Sequence, residues 1–268
     1  MDYEITFPGG VTRAVTFSYD DGTICDRKLV ELFNKYNVKA TFHLNSGKFG
    51  MMHSWGEYID EEEVEGLYDG HEVSAHAYTH PYFSHLTNNQ MLREFLDDKR
   101  TLERLCHYPV RGMSYPFGEF FDEMIDVAKA VGLEYSRTVE STRNFNLPTD
   151  FMHWNPTCHH NDAASLLADF NHAPNWRTLS LFYIWGHSFE FDVENTWDKM
   201  EEFLKEISSY DNVWFATNIE IKDYLVAMRS IISDVDGKTL YNPSATTVYL
   251  KYKGEILTVK AGQTLRLN

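Results

Sequence analysis

The chain has 268 residues and a formal net charge of −16, from 24 Lys and Arg against 40 Asp and Glu. Nucleic acid and anionic membrane surfaces need clustered positive charge, so neither is expected as a partner. Hydrophobic residues at 43% and charged ones at 24% suit a soluble globular chain able to bury a sizeable core, and the high aromatic share of 15% fits either a large core or a carbohydrate-facing groove.

No charged-then-apolar segment opens the sequence, and no run approaches the roughly 20 apolar residues of a membrane helix. Cys25, Cys106 and Cys158 are odd in number and widely spaced. They read as free thiols of a reducing compartment, so a cytoplasmic location is expected.

The first predicted element is a strand over 13–18, β-branched and aromatic, that runs into Asp20-Asp21-Gly22. Asp26 stands where an N-cap would, before Leu29, Leu32, Phe33 and Tyr36 at helical spacing. A second strand covers 38–44. The acids Asp60, Glu61, Glu62 and Glu63 suit the positive end of a helix over 62–68, closed at Gly70. A short strand over 72–75 leads into His76. Thr87 caps a long helix with Met91, Phe95, Leu102 and Leu105 on one face and Pro109 beyond its end. Then follow a strand over 110–113, a helix over 121–131 closed by Gly132, and a strand over 134–139. An apolar strand over 179–185 ends in Gly186-His187, followed by a helix over 195–207, a strand over 213–216 and a helix over 219–232.

Strands alternating with helices imply a parallel sheet with crossover helices, and the number of units points to an α/β fold, a distorted (β/α) barrel of seven strands. Its expected extent is 1–235. From 236 to 268 the pattern changes to period-two alternation with Lys253-Gly254 and Ala261-Gly262 as turns, a small antiparallel β appendage.

The chemistry-bearing residues fall just after predicted strands, on the face where barrel enzymes place their sites. His76 and His80 lie four apart, with Pro81 directly after. Two imidazoles and a carboxylate such as Asp21 suit zinc, cobalt or iron and leave positions open for water and substrate. Asp20 and Asp21 are also compatible with merely shaping the turn at Gly22. His53, His85, His153 and the His159-His160 pair are expected to have no metal role; the pair is the best outsider.

These residues carry a family resemblance. Thr16-Phe17-Ser18-Tyr19-Asp20-Asp21-Gly22 and Gly70-His71-Glu72-Val73-Ser74-Ala75-His76-Ala77-Tyr78-Thr79-His80-Pro81 resemble the first two motifs of the polysaccharide deacetylases of carbohydrate esterase family 4. Lys39-Ala40-Thr41-Phe42 before Leu44-Asn45 is similar to that family's second barrel strand, and the resemblance covers roughly 13–225. It implies one divalent metal ion, zinc first with Co, Ni or Fe as alternatives, on Asp21, His76 and His80. It implies Asp20 as general base, Arg111 as the arginine that orients it, and His187, in Ile184-Trp185-Gly186-His187-Ser188, as general acid. Pro116-Phe117-Gly118 would aim the Phe117 N–H at the developing oxyanion. Tyr78, Tyr115, Trp154 and Trp185 would form the acetyl pocket or stack on sugar, although core packing serves them equally. Two departures stand out: Met152-His153-Trp154 lacks the aspartate of the usual fourth motif, and Ser188 follows His187.

The expected function is metal-dependent hydrolysis of acetyl groups from an acetylated carbohydrate, either a glycan containing N-acetylglucosamine or acetylated xylan. The alternatives are a C–N hydrolase acting on a small molecule and a catalytically weak saccharide-binding protein of the same fold. The loops over 46–58 and 143–176 are expected to set the choice of substrate.

Overall fold

A computed structural model of the chain describes residues 3–172 and 179–268; the last part of the second specificity loop, 173–176, lies outside the described residues. Its centre is a curled parallel sheet of β1 (Arg13–Asp21), β2 (Thr41–Leu44), β3 (Glu72–Ala75), β4 (Gly112–Ser114), β5 (Tyr135–Arg137), β6 (Cys158–His159), β7 (Ser180–His187) and β8 (Val213–Phe215). Seven of them run in the order β5-β4-β3-β2-β1-β7-β6, and β8 pairs with the first three residues of β1. This is the α/β half-barrel that the strand–helix alternation predicts. The added element is β6, whose two residues are too few to show a period.

The helices that cover the sheet are α1 (Asp26–Lys35), α2 (Asn88–Cys106), α3 (Asp122–Ala130), α4 (His160–Asn171), α5 (Trp197–Ile207) and α6 (Asn218–Ser230). The sheet is buried on both faces, so β1 reads as a continuous run rather than as polar–apolar alternation. Its outward residues Val15, Phe17 and Tyr19 join the main core, where Phe17 meets Phe33 of α1 at 5.1 Å and Phe203 of α5 at 6.3 Å between ring centres. Each such ring contributes about 1.5–3 kcal/mol by leaving water.

The inner residues are polar and paired, across strands or with the start of α6. Thr16 Oγ1 donates to Asn218 at 2.8 Å, Thr41 Oγ1 to Glu72 at 2.9 Å, and Tyr135 Oη to Glu72 at 2.8 Å. Burial pushes the Glu72 carboxyl up to about 7, against the pull of these donors. The open side of the curl is closed by the irregular segment 151–157. Ser136 N–H donates to the Phe151 carbonyl at 2.8 Å, Thr138 N–H to that of Trp154 at 3.1 Å, and Thr157 N–H to that of Tyr183 at 2.8 Å.

The period-two tail forms two small sheets around Leu240, Leu250, Val259 and Leu267. One pairs Tyr3–Thr6 with Val248–Tyr252 and that with Glu255–Val259; the other joins Ile232–Ser233, Thr239–Tyr241 and Thr264–Arg266. The β unit thus draws on both ends of the chain. Tyr224 of α6 ties it to the barrel by donating to Thr6 O and accepting from Tyr249 N.

Candidate active site and metal centre

The C-terminal ends of β1, β3, β4 and β7 open into one cleft of ≈600 Å³ lined by Asp20, Asp21, His76, His80, Tyr115, Phe117, Trp185 and His187, with Trp55, Val139 and Phe189 among its apolar wall. Four non-glycine residues here hold left-handed backbone: Asp21 (φ 79°), Ala77 (64°), His80 (55°) and Phe117 (57°). Each costs of order 1–3 kcal/mol, which the surrounding contacts must offset. After Asp21, Gly22 is required: its φ is +76°, and a Cβ there would lie 2.8 Å from Leu44 Cδ2.

Asp21, His76 and His80 converge. His76 Nε2 and His80 Nε2 each lie 3.7 Å from Asp21 Oδ1. Metal–ligand bonds of about 2.0–2.2 Å allow ligand atoms to be at most about 4.4 Å apart, so both contacts fit one ion. The donor chemistry agrees. Asp21 Oδ1 is buried without a hydrogen-bond donor. His76 Nδ1 donates to the Ser114 carbonyl at 2.9 Å, which leaves Nε2 as the free lone pair. Burial lowers His76, and burial together with His76 lowers His80 to about 3, so both rings are neutral as ligands must be. Asp98 holds the loop from behind, accepting from His76 N at 3.0 Å and Ser46 N at 2.9 Å.

Asp20 lies beside this set, 3.8 Å from His76 Nε2. Ser114 Oγ donates to its Oδ1 at 3.1 Å, and Arg137 Nη2 pairs with its Oδ2. Burial raises the carboxyl, but Arg137, with His76, His43 and His187, more than offsets this and holds Asp20 well below the usual range.

The arginine on Asp20 is therefore Arg137, not Arg111. Arg111 precedes β4, at the opposite end of that strand from the site. There its guanidinium pairs with Glu134 at 2.7 Å and with Asp223 of α6 at 2.7 Å. Arg137 ends β5, is fully buried, and rests over the Trp185 ring at 4.3 Å. A lone arginine inside the strand predicted over 134–139 was the sign available in the sequence.

His187 faces Asp20 across the β7–β1 pairing. Its Nδ1 lies 3.3 Å from Glu190 Oε1, and its N–H donates to Glu190 Oε2 at 3.1 Å. Burial lowers this imidazole, but Glu190, then Asp21 and Asp20, raise it to about 9. Glu190, on a short helix Phe189–Glu194 ahead of α5, is the acid partner missing from the fourth motif. Its place one helical turn after His187 was the sign.

The remaining aromatic residues divide. Trp154 is a correction: its indole is 1% exposed, outside the cleft, and packs at 5.6 Å from Tyr135 and 5.0 Å from Tyr183 inside the barrel. It sits in the closing segment, which turns it inward. Tyr115 lines the cleft, but its hydroxyl is taken by the Met152 carbonyl at 2.7 Å. Trp185 forms the floor below Arg137. Phe117 is half exposed at the rim, stacked on Tyr82 at 3.9 Å and edge-on to His80 at 4.3 Å.

Comparison with known proteins finds similarity in sequence and in fold. The family model for polysaccharide deacetylase matches residues 10–136. A Bacillus subtilis protein assigned to polysaccharide deacetylases is 25% identical over 130 residues, 48% of this chain and 45% of that one. A Bacillus cereus peptidoglycan-N-acetylglucosamine deacetylase is 26% identical over 129 residues, 46% of this chain and 43% of that one. The chain thus spans less than half the length of these two relatives. A solved structure from Mycobacterium smegmatis, assigned to polysaccharide deacetylases, shares the fold with a TM-score of 0.63 at 17% identity, covering 84% of this chain and 94% of that one. The matched residues 10–136 carry Asp20, Asp21, His76 and His80, and this part of the chain is similar to the polysaccharide deacetylase family.

Proposed function

We propose that the chain is a metal-dependent deacetylase that removes the acetyl group from an N-acetylated saccharide, with N-acetylglucosamine units as the first candidate. One observation carries this reading: a carboxylate held ionised by Arg137 and an imidazole held protonated by Glu190 line the same cleft as the His–His–Asp set. Hydrolysis of an amide needs a base for the water and an acid for the leaving nitrogen, kept apart in protonation state.

A divalent ion on Asp21, His76 and His80 would supply Lewis acidity, lowering the pKa of water from 15.7 toward about 7. Asp20 accepts a proton from the attacking water as its oxygen bonds to the acetyl carbon. Ser114 and Arg137 keep the Asp20 oxygens oriented meanwhile. The Phe117 N–H, on the rim turn, is assigned to the oxyanion, a contribution worth about 3–4 kcal/mol for a well-placed donor. His187 gives its proton to the leaving nitrogen as the C–N bond breaks, yielding acetate and a free amine. Its proton is restored from solvent, and Asp20 releases the one it took.

The similarity to a relative named for N-acetylglucosamine supports the substrate class. The test is acetate release from N-acetylglucosamine oligomers and from acetylated xylan by zinc-loaded and chelated protein. Release from the oligomers, abolished by the chelator, is the expected result; no release from either substrate by the loaded protein overturns the reading. The apolar wall of Trp55, Val139 and Phe189 favours a second reading, a small acylated amine, which turnover of such an amide without turnover of either glycan would select.

A further inference from the structure

We propose that His159, His160 and Glu190 form a second divalent-cation site beside the general acid, and that filling it inhibits the enzyme. The three residues come from the end of β6, the first turn of α4 and the short helix Phe189–Glu194. Their ligand atoms lie within 4.8 Å of one another. His159 Nε2 is 3.0 Å and His160 Nε2 3.5 Å from the same oxygen, Glu190 Oε2.

His160 points to a ligand. Its side chain is 2% exposed, yet neither ring nitrogen has a hydrogen-bond partner. Leaving such a group unsatisfied costs about 1–3 kcal/mol. Packing explains why the ring cannot turn away. It is stacked between Tyr19, at 5.8 Å, and Phe191, at 4.3 Å, and a Cβ on Gly186 would fall 2.0 Å from its Nδ1. The ring is therefore fixed with Nε2 toward Glu190.

Two imidazoles and one carboxylate repeat the donor set of Asp21, His76 and His80, and they select a borderline ion such as Zn²⁺. His159 and Glu190 are each 23% exposed in their side chains, which gives the ion a way in. Binding has one local cost: His159 Nδ1 accepts from Asn161 N at 3.4 Å, and a cation on Nε2 would move the ring proton to Nδ1 and break that long bond. The consequence for catalysis follows from the shared carboxylate. Glu190 Oε1 is the oxygen beside His187. A cation that draws Glu190 to itself removes the group that orients the general acid.

The site is tested by zinc stoichiometry on metal-stripped full-length protein, by equilibrium dialysis with elemental analysis. Wild type is expected to bind two equivalents, His160→Phe one, His80→Ala one, and the double variant none. His160→Phe keeps a ring in the aromatic stack; if it does not fold, His159→Gln is read the same way. In acetate-release assays, the second equivalent is expected to lower wild-type turnover and to leave His160→Phe at its one-equivalent rate. The inhibition rests on the deacetylase reading, but the stoichiometry needs no substrate, so failure of all acetate release counts against that reading alone. One equivalent in wild type, unchanged binding in His160→Phe, or a second equivalent that leaves turnover intact overturns the proposal.

Discussion

Glu190→Gln replaces a carboxylate by an amide of nearly the same shape, and so separates charge from packing beside His187. In the native protein burial disfavours the His187 imidazolium, and Glu190 is the largest group opposing burial, ahead of Asp21 and Asp20. The balance raises His187 from the ordinary histidine value of 6.5 to about 9. At 1.36 kcal/mol per unit, that difference is about 3 kcal/mol in favour of the protonated form. The two aspartates supply part of it, and a metal ion on Asp21 would reduce that part, so in the loaded protein Glu190 is the main group holding the imidazole protonated. In kcat/KM the loss of the acid's proton appears as the alkaline limb. That limb should lie above neutral pH in wild type and move to lower pH in Glu190→Gln. The variant should therefore lose activity on the alkaline side, while near pH 6 the two proteins differ little.

The stability sign follows from the same shift. His187 is raised in the folded state, so its contribution is complete below about pH 6.5 and is lost as pH rises through about 9. Melting temperatures of wild type and Glu190→Gln should differ most near pH 6 and converge above pH 10. A variant whose activity falls equally at every pH, with its alkaline limb unmoved, would refute the reasoning and leave Glu190 a packing residue.

Asp20→Asn should retain zinc and lose about 10²–10⁴ in kcat, read by acetate release beside metal analysis; substantial turnover in the variant removes Asp20 as base. Arg137→Met leaves the Asp20 charge buried without its partner and should cost about 3–5 kcal/mol in chemical denaturation, but clearly less in an Asp20→Asn background, and additive losses would contradict a direct pair. Arg111→Ala should leave kcat/KM within about twofold and cost about 1 kcal/mol or less, since its ion pairs are a third exposed; a large kcat loss at normal stability would return Arg111 to the site. Trp154→Ala should lower stability by about 3–5 kcal/mol while the folded fraction keeps its KM, which a stability-matched kinetic comparison would check.

The residues legible in the sequence are those whose geometry is local. His76 and His80 lie in one turn of chain, and Asp20 and Asp21 are neighbours at a strand end, so a short window holds most of the constellation. The strand–helix alternation then places both windows on one face of the sheet. The partners of Asp20 and His187 follow other rules. Arg111 lies three residues before Ser114, and at about 3.3 Å per residue the strand carries it roughly 10 Å away from the end where Asp20 sits. Arg137 is 117 residues from Asp20 and reaches it only because β5 curls around to the segment that closes the barrel. That segment has no period: residues 151–157 bond to β5 on one side and β7 on the other without forming a regular strand, so its inward Trp154 looks like any loop aromatic. Glu190 was hidden for a different reason. The predicted helix over 195–207 corresponds to α5, and the separate helix Phe189–Glu194 ahead of it has only six residues, too few to show a 3.6-residue stripe. The proposed base and acid, Asp20 and His187, are thus written in motifs, whereas the charges that set their protonation come from barrel closure and from one short extra helix. Family members that share the motifs can therefore differ in pH range through residues outside them.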